Sequence, residues 1–203
     1  RLLVEIGAGL RVVFTDPLLR SIGLTGTGVV LFQTMGSAVV LVFLARTVGL
    51  SAGTIGLLSS VGTLGAVAAA FTCRRITTRL GPATSLAGAV VILGLGLLLI
   101  PLAGTGSRSI WYAVGTLVAG YCIVAFNVVQ ASYRQAACPE HLLGRMNATM
   151  SFLFRVTTPI GALVGGAIAT TLGTRTTLVI SGLGIVAAST LLTPLRGMTW
   201  PTN

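Results

Sequence analysis

The sequence predicts an all-α membrane protein built from six transmembrane helices, and three observations carry that prediction. Six apolar stretches, each near the ~20 residues that a helix needs to cross the hydrocarbon at about 1.5 Å per residue, fill the chain almost end to end. Composition agrees: mean hydropathy is +0.97, and 54% of residues are apolar against 8% charged, a balance outside that of ordinary soluble domains. Every charged residue except Arg155 lies between the stretches or at their ends.

Length and polarity place the elements in order. The first span is read over Ser21 to Ala45 and the second over Ala52 to Cys73, with Ser51 as its N-cap. The third runs from Thr84 to Ala103 with Pro101 marking its end, and the fourth from Ile110 to Tyr133. The fifth covers Asn147 to Leu172, with Pro159 as a kink inside it, and the sixth covers Thr176 to Leu195, ended by Pro194. A transmembrane barrel is excluded, because its strands alternate polar and apolar residues and these runs are continuously apolar.

Arginine sets the orientation. One face carries Arg1, Arg11, Arg20, Arg74, Arg75, Arg79, Arg134, Arg145 and Arg196, the other only Arg46, Arg108 and Arg175. Nine against three predicts a plasma-membrane protein with both termini in the cytoplasm. The formal charge of +10 is thus a topology signal. A nucleic-acid partner is excluded, since such a binder gathers its basic residues with aromatics on one soluble face, and here they are dispersed over loops.

Before the first span, Leu3, Ile6, Leu10, Val13 and Phe14 recur at helical spacing, with Arg1 and Glu5 on another face. Residues 1–20 are therefore expected to form a cytoplasmic helix on the lipid surface, broken at Thr15 and restarted at Asp16-Pro17. The bundle is expected over 21–196 and a cytoplasmic tail over 197–203. Opening on Arg1 in the middle of an amphipathic pattern, the chain reads as a fragment.

Helices in lipid associate through close backbone approach at small residues. Gly56-x-x-x-Ser60, Gly62-x-x-x-Ala66-x-x-x-Ala70, Gly115-x-x-x-Ala119 and Gly161-x-x-x-Gly165 each set such a stripe on one face of a span. Generic tight packing accounts for any one stripe. Four such stripes, spread over three spans, point to helices that also rock or slide.

Several segments resemble one family. Glu5-x-x-x-Gly9-Leu10-Arg11 and Asp16-Pro17-Leu18-Leu19-Arg20 are similar to the segment joining the halves of major facilitator superfamily exporters of the enterobactin-exporter and macrolide-efflux branch. Asn127 to Gln135, Pro139 to Arg145 and Pro159 to Gly166 resemble that branch's tenth span, following loop and eleventh span. The resemblance covers nearly the whole chain. It implies spans seven to twelve of a twelve-span transporter, folded as two inverted three-helix repeats and partnered by an N-terminal six-helix half. The function implied is proton-coupled export of a small molecule, drug, macrolide or siderophore-like, by alternating access.

Arg74, Arg75, Arg79 and Gly81 lie in a loop that resembles the second copy of the superfamily's cytoplasmic loop signature, without the acidic residue expected early in the full motif. The resemblance implies a gating latch; the residues alone equally describe a positive-inside anchor. Arg134, Gln135 and Arg145, around the next cytoplasmic loop, carry the same two readings.

Polar groups in hydrocarbon are costly and tend to line a cavity. That makes Gln33, Tyr121, Phe126, Asn127 and Gln130 candidates for a substrate cavity, or alternatively interhelical bonds and packing. Arg155, about 12 Å inside the fifth span at about 1.5 Å per residue, either faces the same cavity or snorkels to the interface. The branch has an aromatic residue near this position, so Arg155 departs from it.

Coupling to protons needs a group that titrates within the membrane, yet Glu5, Asp16, Glu140 and His141 all fall outside the spans. If the complete protein is an antiporter, its carboxylate lies elsewhere. Gly49-Leu50-Ser51-Ala52-Gly53 fits a nucleophile pattern, but His141 lies about 30 Å away across the membrane, so an enzyme is not expected. Cys73, Cys122 and Cys138 form no metal or disulfide pattern, the chain has no Walker-type loop, and no cofactor is expected. The remaining alternative is a six-span membrane domain of another transporter or channel, or a non-transporting membrane protein.

Overall fold

The computed structural model describes residues 17–137 and 140–192, with backbone alone at several positions that include Arg134, Glu140, His141 and Arg145. The surface helix expected before Asp16 and the tail at 197–203 lie outside the described residues. Six helices follow one another: α1 Pro17–Val42, continued by a π-helical turn Phe43–Val48; α2 Ala52–Leu80; α3 Pro82–Leu97, ended by a 3-10 turn Ile100–Leu102; α4 Ile110–Ala137, preceded by a 3-10 turn Gly106–Ser109; α5 Glu140–Leu172; and α6 Thr174–Ala188. Each belongs to a stretch long and apolar enough to cross a membrane. Helices are what lipid permits, because every backbone amide then finds its partner inside the segment.

Local chemistry sets the ends. Ser51 caps α2, its Oγ accepting from the Thr54 amide at 3.3 Å. The segment from Arg74 to Gly81, read from sequence as a loop, is helical as far as Leu80. Nothing before Gly81 breaks the helix, and Arg79 in the last turn is favoured by the helix dipole. Pro159 stands inside α5 and has no N–H to offer the carbonyl of Arg155.

Two of the connections are single glycines. Gly81 alone joins α2 to α3 with φ 81° and ψ 152°, and Gly173 alone joins α5 to α6 with φ 87° and ψ 157°. Both lie where a side chain is strongly disfavoured. They occupy the same place in the two halves of the chain, on opposite faces of the bundle.

Packing shows the same twofold relation. The most extensive contacts join α2 to α4 and α1 to α5; next come α3 with α4 and α1 with α6; α3 and α6 meet each other. Exchanging α1 with α4, α2 with α5 and α3 with α6 maps this pattern onto itself, as two inverted three-helix repeats require. The first helix of each repeat thus packs on the second and third helices of the other. The main core lies among α1, α3, α4, α6 and the first turns of α5, around Ile22, Leu86, Leu93, Phe126, Met150 and Ile185. A second cluster, around Phe43, Leu44, Ile100 and Leu178, fills the arginine-poor end.

Glycine sets the closest approaches. A Cβ on Gly120 of α4 would run into the Gly62 carbonyl of α2, and one on Gly65 into the Leu117 carbonyl. On α5, a Cβ at Gly161 would stand 2.5 Å from the Leu31 carbonyl of α1, and one at Gly165 2.5 Å from that of Met35. The α2 stripe in contact with α4 runs Gly62, Gly65, Ala69 and Cys73, whereas Ala66 is half-buried and Ala70 exposed. Gly115 packs instead on α3, near the Gly96 carbonyl and Ile100.

Candidate functional site

Between α1 and α4, the first helices of the two repeats, a cleft of about 140 Å³ opens over a floor made by α3 and α6. Gln33, Gly36, Ser37 and Val40 line it from α1, Tyr112 and Thr116 from α4. Leu97 and Ile100 close it from the α3 side and Leu178 and Ser181 from α6. Gly36 is required here, because a Cβ would come within 2.7 Å of the Ser181 hydroxyl. That hydroxyl in turn donates to the Phe32 carbonyl and ties α6 to α1.

The polar groups of the cleft are held at fixed positions. Tyr112 pairs its Oη with Ser59 Oγ of α2 at 2.8 Å. Thr116 Oγ1 donates to the Ala113 carbonyl at 2.9 Å, and Ser37 Oγ to the Thr34 carbonyl at 3.0 Å. Each hydroxyl retains acceptor capacity toward a guest. Gln33, half-buried, brings the wall's one amide.

The other sequence candidates disperse. Tyr121 lies on the α2 side of α4, its Oη bonded to Thr72 Oγ1 at 2.9 Å, and lines an apolar groove of about 380 Å³ between α2 and α3. Phe126 is buried in the core, where its ring and that of Phe154 converge on Gly26 of α1. Asn127 and Gln130 come together: Gln130 Nε2 donates to Asn127 Oδ1 at 2.9 Å, with Gln130 buried and Asn127 exposed. At about 100° per residue these two share a face of α4 with Thr116, nearer the arginine-rich end.

Arg155 is exposed on α5, on a face distinct from the one that packs on α1. Around the helix, Met150, Phe154, Gly161 and Gly165 turn to α1. Ser151, Arg155, Thr158, Ala162 and Gly166 form a small, polar stripe beside them; Phe152, Val156, Ile160 and Leu163 form an apolar stripe beyond. α2 repeats the arrangement, with Gly56, Ser60, Thr63 and Ala70 on one exposed stripe and Leu57, Leu64 and Phe71 on the next.

Of the loop candidates, Arg74, Arg75 and Arg79 are exposed on the last turns of α2, Gly81 is the joint itself, and Gln135 is exposed near the end of α4. The side chains of Arg134 and Arg145 lie outside the described residues. Sequence reasoning passed over Ser37, Tyr112 and Thr116. Hydroxyls in membrane helices mostly bond their own preceding turn and give no periodic signal, and Tyr112 near a span end reads as an interfacial aromatic.

A multi-pass helical bundle with a largely apolar cleft between its repeats, set with a few hydroxyls and one amide, and with polar stripes left open beside it, defines a membrane protein of the transporter class. The chain belongs to the Major Facilitator Superfamily, whose family model matches residues 23–198. It is 31% identical to the enterobactin exporter EntS of Salmonella typhi and 30% identical to the enterobactin exporter EntS of Salmonella typhimurium. Each match takes in 96% of this chain and 46% of the relative, so the chain spans about half the length of these curated relatives. No solved structure matches it.

Proposed function

We propose that this chain is the C-terminal six-helix half of a twelve-helix secondary exporter, and that the cleft between α1 and α4 is its wall of a substrate cavity closed by an N-terminal half. The exposed faces of α2 and α5 carry this reading. Only 17% and 11% of their most apolar stretches are buried, against 50% for α3 and 44% for α4. Lipid alone would favour large apolar side chains on such surfaces. Here each helix instead shows a small, polar stripe next to an apolar one, the pattern of a helix flanked by protein or water on one side and lipid on the other.

Arg155 lies in the polar stripe. Pro159 removes the helical donor of the Arg155 carbonyl, which a neighbouring helix, a hydroxyl or water then has to satisfy. A guanidinium beside a carbonyl that needs an outside donor favours a wet, cavity-facing surface over snorkelling. An anionic group of the cargo, or a carboxylate of the other half, is its natural partner.

The cargo is a small molecule of the drug or siderophore-like class, in line with the exporters to which the chain is similar. Both termini lie in the cytoplasm, by the arginine bias. No acid falls within a described span, and a proton-coupling carboxylate on the remaining half is part of this proposal.

The test is efflux by the protein encoded by the full reading frame, in cells stripped of their own exporters, measured with and without a proton gradient. Gradient-dependent efflux is expected, and it should persist when Glu5→Gln, Asp16→Asn, Glu140→Gln and His141→Gln are combined. Loss of coupling in that variant at normal protein levels would overturn the placement of the coupling group. Reporter fusions that put the termini outside the cell would overturn the orientation.

A further inference from the structure

On the face opposite the arginine clusters, two of the three arginines line one pocket. The surface pocket, of about 450 Å³, is walled by Pro101 and Leu102 at the end of α3, Arg108 and Trp111 at the start of α4, and Arg175 and Val179 at the start of α6. It sits on the outer side of the α3–α6 pair, away from the stripes of α2 and α5. Both arginine side chains are braced, Arg175 at its guanidinium and Arg108 along its stem. Arg175 lies over the ring of fully buried Phe43, 5.8 Å from its centroid. The stem of Arg108 packs on Gly104, where a Cβ would stand 3.2 Å from its Cβ and Cδ.

Neither guanidinium has a hydrogen bond or ion pair to a described residue, and the one acid whose backbone is described, Glu140, begins α5 at the opposite face. Two cations brought to one pocket with no carboxylate beside them among the described residues call for an anion from outside these helices. The rest of the wall states what kind. Trp111, 41% exposed, is an indole at a helix end, the usual place for an aromatic at headgroup level. Leu102 and Leu183 continue the surface into the span as exposed apolar side chains.

We propose that this pocket binds the phosphodiester of an anionic phospholipid, with Arg108 and Arg175 on the phosphate, Trp111 against the glycerol and the acyl chains along Leu102, Val179 and Leu183. The proposal rests on the membrane setting of the helices and is independent of the transport reading.

The experiment uses the full-length protein in nanodiscs of phosphatidylcholine with and without phosphatidylglycerol, read by lipid retention in native mass spectrometry and by thermal unfolding. Wild type is expected to retain phosphatidylglycerol preferentially and to melt higher in its presence. The double variant R108A/R175A is expected to lose about tenfold of that preference, as the loss of two charge-assisted contacts implies. The charge-keeping R108K/R175K double variant guards against misfolding and should retain part of the preference, while Arg46→Ala, on the same face outside the pocket, should retain all of it. Equal retention by wild type and R108A/R175A would overturn the site, as would an equal loss in Arg46→Ala. A matching rise in melting temperature from inorganic phosphate without phosphatidylglycerol would overturn the lipid assignment in favour of a soluble anion.

Discussion

Gly120 meets Gly62 backbone to backbone across the α2–α4 contact, so close that a Cβ on Gly120 would run into the Gly62 carbonyl. Because packing between helices in lipid depends on such approach, Gly120→Ala and Gly65→Ala are expected to lower stability by about 1–3 kcal/mol, the usual cost of overpacking. Gly88→Ala on α3, whose Cβ would meet nothing within 4 Å, is expected to be neutral or slightly stabilising. Thermal unfolding in detergent checks all three.

Three of the glycines between helices, at positions 49, 81 and 173, should respond differently to asparagine. Gly49, with φ 78° and ψ 26°, is in the left-handed helical region that Asn tolerates. Gly81 and Gly173 have ψ near 155° and lie in a region that is essentially glycine's alone. Gly49→Asn is expected to melt close to wild type. Gly81→Asn and Gly173→Asn are each expected to cost about 1–3 kcal/mol through backbone strain.

Within the cleft, Gln33→Leu, Tyr112→Phe and Thr116→Val remove polar groups from its walls at little cost in volume. Each is expected to raise the KM for efflux by about 3–10-fold, the worth of one hydrogen bond. Tyr121→Phe, which loses the bond to Thr72 on the other side of α4, should lower stability by about 1 kcal/mol and leave KM unchanged. Concentration-dependent efflux from inverted vesicles separates the two outcomes.

At position 155, Arg155→Ala is expected to cut efflux at least about tenfold and Arg155→Lys to restore part of it, since charge survives while the planar fork is lost. Unchanged turnover and affinity in both variants would reject the cavity role.

The class and the presence of six membrane-long helices were legible in the sequence, because lipid imposes one rule on every residue of a span. Side-chain facing was less so. Tyr121, central and polar, satisfies every sequence criterion for a cavity residue, yet it lies on the α2 side of α4, in the groove between α2 and α3 rather than in the cleft beside α1. Gln33 and Tyr112 share a cleft although 79 positions separate them. What decides facing is the crossing of helices at Gly62, Gly65, Gly161 and Gly165. The x-x-x spacing of small residues marks such crossings but does not say which neighbour they meet; on α2 the contact follows Gly65 and Ala69 rather than Ala66 and Ala70.

The joints at Gly81 and Gly173 limit how this protein can change shape. Slipping one helix past its neighbour by a turn needs about 5.4 Å, and one residue of chain supplies about 3.8 Å. α2 with α3, and α5 with α6, must therefore travel as hinged pairs that swing about a fixed elbow, one elbow at each surface of the bilayer. Ratcheting within a pair is forbidden, and any opening of the cleft falls to α1 and α4, neither of which is tied by a one-residue joint.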